Sequence, residues 1–517
     1  MATFETSVEH TTQLALAEKS KLKKSLRRFD MLFFTVCAFV GLDTLGLVAS
    51  NGAQGFTWLV LLAVLFVAPY ALVLAEIGST FTEEGGPYEW VKLAFGRIHA
   101  GIMAILYWVT NPLWVGGSLA FIASETWQKT ALPALDVNHL GSRGDYLFKL
   151  IFIWFSIGVA IISLQKGKWI PTAGGFARIF VMGFFTLTVV IYAIKHGVEG
   201  FPVGDLSPTM AVFLGLVPVL LFNYVGFELQ NGAAEEMQNP QRDVPVTVLQ
   251  SGIVTVLAYS IPVFGILAVL PSSQITGIGG FLDAVHTTFS VYGGAQNFLT
   301  DVMVFGFIFA LVTSGAVWMM GSDRILAVAA YDGAFPGYFG RFHSRLGTPV
   351  RVNVMSGITS TIFMLAAVYL LSGSASAANT FTVVLYLATS TTLLSYLVIF
   401  PAAIKLRLSH GHVARPYRLG SSGNGIMWLC TALCTGWMLL GSWVALFPGT
   451  LESLTGHSYS VMDSYGVTRL RFEVFTLGTL AVILVIGLVG YMLAADVRAK
   501  AVEVPIESAG LEPASGD

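Results

Sequence analysis

Charge is scarce in this chain. Lys, Arg, Asp and Glu make up 11% of its 517 residues, while 55% are hydrophobic. A water-soluble protein of this length needs far more charge to cover its surface, so the balance points to lipid as the solvent. Net charge is −2 and the basic residues are scattered, which excludes a nucleic-acid partner. Cysteine is almost lacking too. Cys37, Cys430 and Cys434 lie in apolar runs, with a spacing that fits neither a disulfide framework nor a four-ligand zinc site. The nine histidines are dispersed, without metal spacing, and no nucleophile motif occurs. The chain carries no catalytic set and implies no cofactor; an enzyme is not expected.

What is abundant is long apolar sequence. A helix needs about 20 such residues to cross the hydrocarbon core. Phe56–Ala75 and Val474–Leu493 each supply twenty without a charge, and no charged residue occurs between Arg351 and Lys405. Taking all such runs predicts an all-α polytopic membrane protein of 12 transmembrane helices. They lie near 31–50, 56–79, 99–126, 146–165, 174–195, 208–231, 245–270, 298–330, 351–371, 379–404, 426–447 and 473–495, with Ser372–Thr380 as the hairpin between spans 9 and 10. Residues 1–28 are polar and end in a basic run, so the first span reads as a retained helix rather than a cleaved leader. With the N-terminus inside, 22 Lys and Arg fall on the inner side and 6 on the outer. The positive-inside rule then places both termini in the cytoplasm. The tails 1–20 and 502–517 are polar and aperiodic and are expected to be disordered. The outer loops 271–297 and 448–472 are long enough to carry short helices or gates.

Three stretches do not read as lipid-facing helix. Val40–Gly46, "VGLDTLG", sits in mid-span 1. Its two glycines flank a carboxylate and a threonine, weakening the helix where only protein can satisfy the freed backbone. Asp43 is the most informative residue of the chain, because an intramembrane carboxylate is costly and marks an ion, proton or substrate site. Phe222–Pro245 closes span 6, and Asn223, Gly226 and Glu228 again interrupt an apolar run. Breaks in spans 1 and 6, five helices apart, are the pattern of an inverted-repeat transporter with its site at the midplane. Ser322–Asn353 is a charged, Gly- and Pro-containing structured loop on the inner side.

At these residues the chain resembles the amino acid–polyamine–organocation (APC) superfamily. The motifs are "ALVLAEIGSTFTEEGGPYEWVKLAFG" (Ala71–Gly96), the span 6 segment with "FELQNGAAEEMQNPQRDVP", and "SDRILAVAAYDGAFPGYFGRFHSRLGTP" in the span 8–9 loop. The resemblance covers about residues 25–495. It implies a transport core at 29–404 built of inverted five-helix repeats, 29–195 and 208–404. A cytoplasmic loop (405–425), two extra C-terminal helices (426–496) and cytoplasmic tails (1–28 and 497–517) complete it. It also implies a permease of an amino acid or related amine in the cytoplasmic membrane, working by alternating access. Carried over to the substrate site are Gly41, Leu42, Asp43, Thr44 and Gly46 from span 1, and Phe222, Asn223, Tyr224, Val225 and Gly226 from span 6. Phe222 or Tyr224 is a candidate aromatic lid, with cation–π contact to an amine. The usual Gly-x-Gly triplet of span 1 is replaced by Gly41 and Gly46 around Asp43, which keeps a polyamine or cationic amino acid in contention.

Two coupling schemes follow. In the favoured one, Asp43 or Glu228 takes up and releases a proton, or substrates simply exchange; Glu76 and Glu125 are weaker candidates. In the other, Thr313 and Ser314 of span 8 join span 1 carbonyls in a sodium site. Some proton-coupled relatives use a span 5 lysine. Here span 5 has basic residues only at its ends, Arg178 and Lys195, so that scheme is not expected. Channels rarely carry these loop motifs, and the short tails leave no room for a signalling domain.

Overall fold

The computed structural model describes residues 8–39, 41–128, 142–163, 169–198, 203–271, 274–275, 279–371, 377–420, 423–454, 456 and 468–505. It is a helical bundle. Strand β1 (Val8–Thr12) and short helix α1 (Gln13–Lys19) precede α2 (Arg28–Phe39) and α3 (Leu45–Ala49). Next come α4 (Gly52–Thr80), α5 (Pro87–Phe95), α6 (Arg97–Trp127), α7 (Arg143–Ser163) and α8 (Trp169–His196). Helix α9 (Met210–Asn223), a 3-10 segment at Leu229–Glu236, α10 (Pro240–Val269), α11 (Gly280–Phe289) and α12 (Gln296–Tyr331) follow. Helices α13 (Val350–Leu371), α14 (Ala377–Ser409), α15 (Gly425–Leu446) and α16 (Arg469–Leu493), then strand β2 (Ala501–Pro505), complete the order. Among the described residues ten helices are long and apolar enough to cross a membrane. The first and sixth runs of the sequence are instead interrupted. Residues 40–44 separate α2 from α3, and 224–228 separate α9 from its 3-10 continuation.

Layering follows from which faces are apolar. Helix α6 is the axis, packed by α12, α13, α14 and α16, while α2 lies among α8, α10 and α12. Helices α7, α8, α13 and α16 turn Phe155, Phe180, Ile362 and Val485 outward, which suits a lipid-facing surface. Prolines inside helices are accommodated locally. Pro69 cannot donate to the Leu65 carbonyl four residues earlier, α4 widens to a π-turn at Ala63–Val67, and Trp437 Nε1 donates to that carbonyl at 3.1 Å.

Two expectations change. The tails, expected to be disordered, are ordered in part: Val8–Thr12 and Ala501–Pro505 pair antiparallel, so these two segments meet at one pole of the bundle. Thr12 Oγ1 caps α1 through Ala15 N–H and donates to the Tyr331 carbonyl, while Glu18 accepts from Phe342 N–H. Those tertiary partners outweigh the polar composition. Span 5 starts at Trp169 rather than Gly174, which puts Arg178 in the third turn instead of at an end. The long loops do carry short helices, α11 and Thr450–Leu454. Residue Val40, most of the Ser372–Thr380 hairpin and the last twelve residues lie outside the described residues.

Candidate functional site

The two breaks face each other in the middle of the bundle. Gly41 N–H donates to the Tyr259 hydroxyl at 3.0 Å, and that hydroxyl donates to the Phe39 carbonyl at 2.8 Å. A tyrosine of α10 thus satisfies the main chain where α2 ends. Trp318 Nε1 donates to the Ala38 carbonyl at 2.9 Å from α12. Space at Gly41 is tight: a Cβ there would lie 2.7 Å from Asp43 Oδ1 and 3.1 Å from the Tyr259 hydroxyl, so a larger residue would displace the carboxylate. In the second break Gly226 adopts φ +118°, and a Cβ would lie 2.6 Å from the Trp318 ring. Conformation and close approach both demand glycine.

Between the breaks is a cavity of ≈20 Å³, lined by Ala38, Phe39, Gly41, Asp43, Trp114, Phe222, Asn223, Val225, Tyr259 and Trp318. That volume holds about one water molecule and is far below the roughly 300–1,000 Å³ of ordinary ligand pockets, so this is a closed conformation. Asp43 is buried, and its Oδ2 accepts from Trp114 Nε1 at 3.0 Å. Among the described residues no Lys, Arg or His forms an ion pair with it. The Asn223 amide nitrogen is buried without a hydrogen-bond partner among the described residues. The walls are aromatic: Trp114 meets Phe222 edge-on at 5.9 Å and Trp318 at 6.3 Å.

Of the expected site residues, Gly41, Asp43, Phe222, Asn223 and Val225 come together here. Gly226 lies just behind Trp318. Tyr224 is not brought to the cavity; its hydroxyl donates to the Leu59 carbonyl at 3.1 Å, which leaves Phe222 as the aromatic of the second break in the cavity wall. Leu42 and Thr44 are buried outside the lining, and Gly46 packs under Gly280 of α11. Sequence reasoning missed Trp114, Trp318 and Tyr259. Their only signal was that a Trp or Tyr inside an apolar span needs a partner for its polar atom.

Glu228 sits next to the cavity, enclosed by phenols. Tyr107 and Tyr396 hydroxyls each donate to Oε1 at 2.5 Å, and Tyr70 donates to Oε2. Tyr70 also accepts from the Gly226 and Phe227 N–H groups at 3.0 and 3.1 Å. The carboxylate therefore fastens the second break to α4, α6 and α14. Thr313 and Ser314 do lie beside α2, but Arg178 occupies that corner. Its guanidinium donates to Thr313 Oγ1 at 3.1 Å, Cys37 Sγ at 3.3 Å and the Ala310 carbonyl at 2.5 Å. Ser314 Oγ donates to the Cys37 carbonyl at 3.4 Å.

At the pole that carries the paired strands, charge is abundant and matched. Arg324 donates to Glu84 at 2.5 Å and Glu236 at 2.6 Å, and to the Gly347 carbonyl at 2.8 Å. Asp332 accepts from Tyr88 at 2.8 Å and Arg97 at 2.9 Å. Glu76, a weaker coupling candidate, is held by Arg407, Arg415 and Leu419 N–H. Burial pushes the Glu84 carboxyl up to about 8, opposed by Arg324 and reinforced by Glu236. Glu125 lies at the far end of α6, away from the cavity.

Comparison with known proteins agrees with this architecture. Residues 26–463 match the family model described as amino acid permease. The probable agmatine/putrescine antiporter AguD of Lactococcus lactis is 28% identical over 418 residues, 80% of this chain and 86% of that protein. An uncharacterized transporter of Legionella pneumophila is 30% identical over 434 residues, 81% and 89% of the two chains. The branched-chain amino acid permease BcaP of Bacillus subtilis is 24% identical over 370 residues, 69% and 77%.

Proposed function

Because the chain belongs to the amino acid permease family, and is therefore a multi-pass membrane transporter and not an enzyme, we propose that it carries an organic ammonium group between the two broken helices, with Asp43 as its counter-ion. The observation that carries this reading is a buried carboxylate at the cavity, with no cation ion-paired to it among the described residues and aromatic rings around it. A carboxylate with no ion-pair partner in a low-dielectric interior is costly, and a bound ammonium lowers that cost while stacking on Trp114, Trp318 or Phe222 by cation–π attraction. The similarity to a probable agmatine/putrescine antiporter supports a diamine and exchange. A zwitterionic amino acid is the second reading. It is favoured by the unpartnered Asn223 amide, which is placed to donate to a substrate carboxylate, and by the similarity to a branched-chain amino acid permease.

In this reading the interrupted segments are crossings one and six of twelve. Repeats 29–195 and 208–404 run in opposite orientations, and α15 and α16 stand outside the transport core. The matching positions of the two breaks support it, as does the burial of α2 among α8, α10 and α12. The excess of basic residues on the side of both chain ends supports a cytoplasmic location for that side in the cytoplasmic membrane. Alternating access then consists of parting the aromatic walls on one side at a time. Phe222 yields toward one side, and the Glu228–tyrosine cluster with the charged pole yields toward the other. Arg178 supplies a fixed positive charge at the Thr313–Ser314 corner, where a sodium ion would be repelled. Exchange or proton coupling is therefore favoured, with Asp43 or Glu228 as the proton carrier.

Counterflow in proteoliposomes tests the proposal. Vesicles loaded with putrescine should accumulate labelled putrescine or agmatine saturably, at the same rate with sodium or choline outside. Exchange of leucine that no diamine inhibits would transfer the assignment to the amino acid reading. Strict sodium dependence would sink the role given to Arg178.

A further inference from the structure

Where α16 leaves the bundle, an apolar groove and a basic pocket lie end to end. The groove, ≈550 Å³, is walled by Ile105 and Val109 of α6, Phe363 of α13, and Val474, Val482 and Ile486 of α16. It faces outward: Val474, Val482 and Ile486 are all at least half exposed. The pocket, ≈750 Å³, is formed by Gln13 and Leu14, the 493–500 stretch, the 332–349 loop and Arg351 of α13, and its charged residues are Arg341, Arg351, Lys500 and Asp496. Ile486 of the groove and Leu493 of the pocket are seven residues apart on one helix, about 10 Å at 1.5 Å per residue. The same loop serves both spaces, Phe335 lining the groove and Gly337 and Tyr338 lining the pocket. It lies tight on α16 between them, because a Cβ at Gly490 would be 2.6 Å from the Phe335 ring.

The pocket is electrically unfinished, unlike the rest of this pole. Among the described residues Arg341 and Lys500 have no side-chain partner. Arg351 donates one N–H to the Tyr338 carbonyl at 2.7 Å and stacks on that ring at 4.1 Å, leaving other donors of its fork to a ligand. Three cations against one carboxylate leave two positive charges in surplus. A phosphate oxyanion matches this chemistry, with Arg providing the paired N–H groups. A groove alone accepts any acyl chain, and a basic pocket alone accepts any phosphate. The two in line select a molecule that has both, and a zwitterionic headgroup brings an ammonium that the same cations repel.

We propose that this composite site holds one anionic phospholipid, its phosphate against Arg341, Arg351 and Lys500 and an acyl chain along α16. Basic pockets beside membrane helices recognise lipid headgroups in this manner. The lipid bridges the N-terminal segment, the 332–349 loop and the C-terminal segment, so it fastens both chain ends to the charged pole.

The test uses the full-length protein in phosphatidylcholine nanodiscs containing a minor share of phosphatidylglycerol, with retained lipid counted by native mass spectrometry. One phosphatidylglycerol per chain should be retained in preference to phosphatidylcholine, and the Arg341→Gln/Lys500→Gln variant should reduce that preference roughly tenfold or more. Gly478→Phe fills the groove from a position where a Cβ meets no atom within 4 Å. It should lose the lipid although every cation remains. Melting in pure phosphatidylcholine, unchanged in both variants, shows that they fold. Undiminished phosphatidylglycerol preference in the double variant overturns the proposal. Full displacement of the lipid by inorganic phosphate overturns the acyl-chain half and identifies a soluble anion as the ligand.

Discussion

The centre of the bundle and its strand-bearing pole treat buried charge in opposite ways. At the pole every buried carboxylate described above is answered: Glu84 and Glu236 share Arg324, Asp332 has Arg97 and Tyr88, and Glu76 has two arginines. At the centre Asp43, among the described residues, has one side-chain donor, an indole N–H, with Arg178 acting on it only through space, and Asn223 has an amide left over. Matched charge fixes geometry, whereas unmatched charge in a dry cavity is an invitation to a ligand of opposite sign. Glu228 stands between the two cases. It is close to the cavity, yet saturated by three phenols, which suits a fastener that can be undone during the transport cycle.

This contrast can be broken by experiment. The largest effect is expected from Asp43→Asn, which should cut diamine counterflow on the order of 100-fold, since removing one partner of a desolvated charge pair costs about 2–5 kcal/mol. Its melting temperature should stay at or above that of the native protein. Normal transport would take Asp43 out of the mechanism and erase the distinction. Arg324→Gln should do the converse, lowering stability by about 3–5 kcal/mol because the buried Glu236 and Glu84 side chains lose the cation that donates to both. An unchanged melting temperature there would mean that the polar network contributes nothing to the fold.

Gly226→Ala sharpens the comparison at the second break. The positive φ and the 2.6 Å approach to Trp318 predict a loss of about 1–3 kcal/mol. Transport should fall more than stability, because the strain is placed at the cavity wall. The smallest effect concerns pH. Glu84 in the folded chain titrates near 8 against an ordinary 4.5, so the folded state holds that proton more tightly than the unfolded one. Its contribution is complete below about pH 4.5 and is lost as pH rises through about 8. Melting temperature should therefore decline over that window, and Glu84→Gln should flatten the decline. An identical slope in the variant would assign the titration to another group.

Much of this was readable from residues alone. The many apolar helices, their order and the two interruptions follow from hydropathy and from glycines beside polar residues, because a bilayer leaves a helix no other way to satisfy its main chain. The carboxylate at Asp43 was conspicuous for the same reason. Arg178 falls at a helix end when span 5 is read as beginning at Gly174, five residues after its actual start at Trp169. In the fold the pair Gly174–Gly175 is a contact surface, where a Cβ at Gly174 would lie 2.6 Å from Thr313 Oγ1 and one at Gly175 would lie 2.7 Å from the Phe33 ring. Small residues let helices approach closely in membranes, and one-dimensional spacing does not distinguish that use from a boundary. The ordered ends were missed because β1 and β2 are nearly 500 residues apart and neither is a convincing strand alone.

The sequence by itself determined that this chain lives in lipid, that it crosses as helices, and that two of those helices yield in the middle around an acidic residue. These are consequences of solvent and local backbone chemistry, which act on each segment separately. Only the tertiary structure decided which aromatic rings wall the cavity, that Tyr224 turns away while Tyr259 and Trp318 turn in, and that an arginine stands where a metal ion was a candidate. Those outcomes depend on side chains from α2, α6, α9, α10 and α12 meeting at one point, and no spacing along a single helix encodes that meeting.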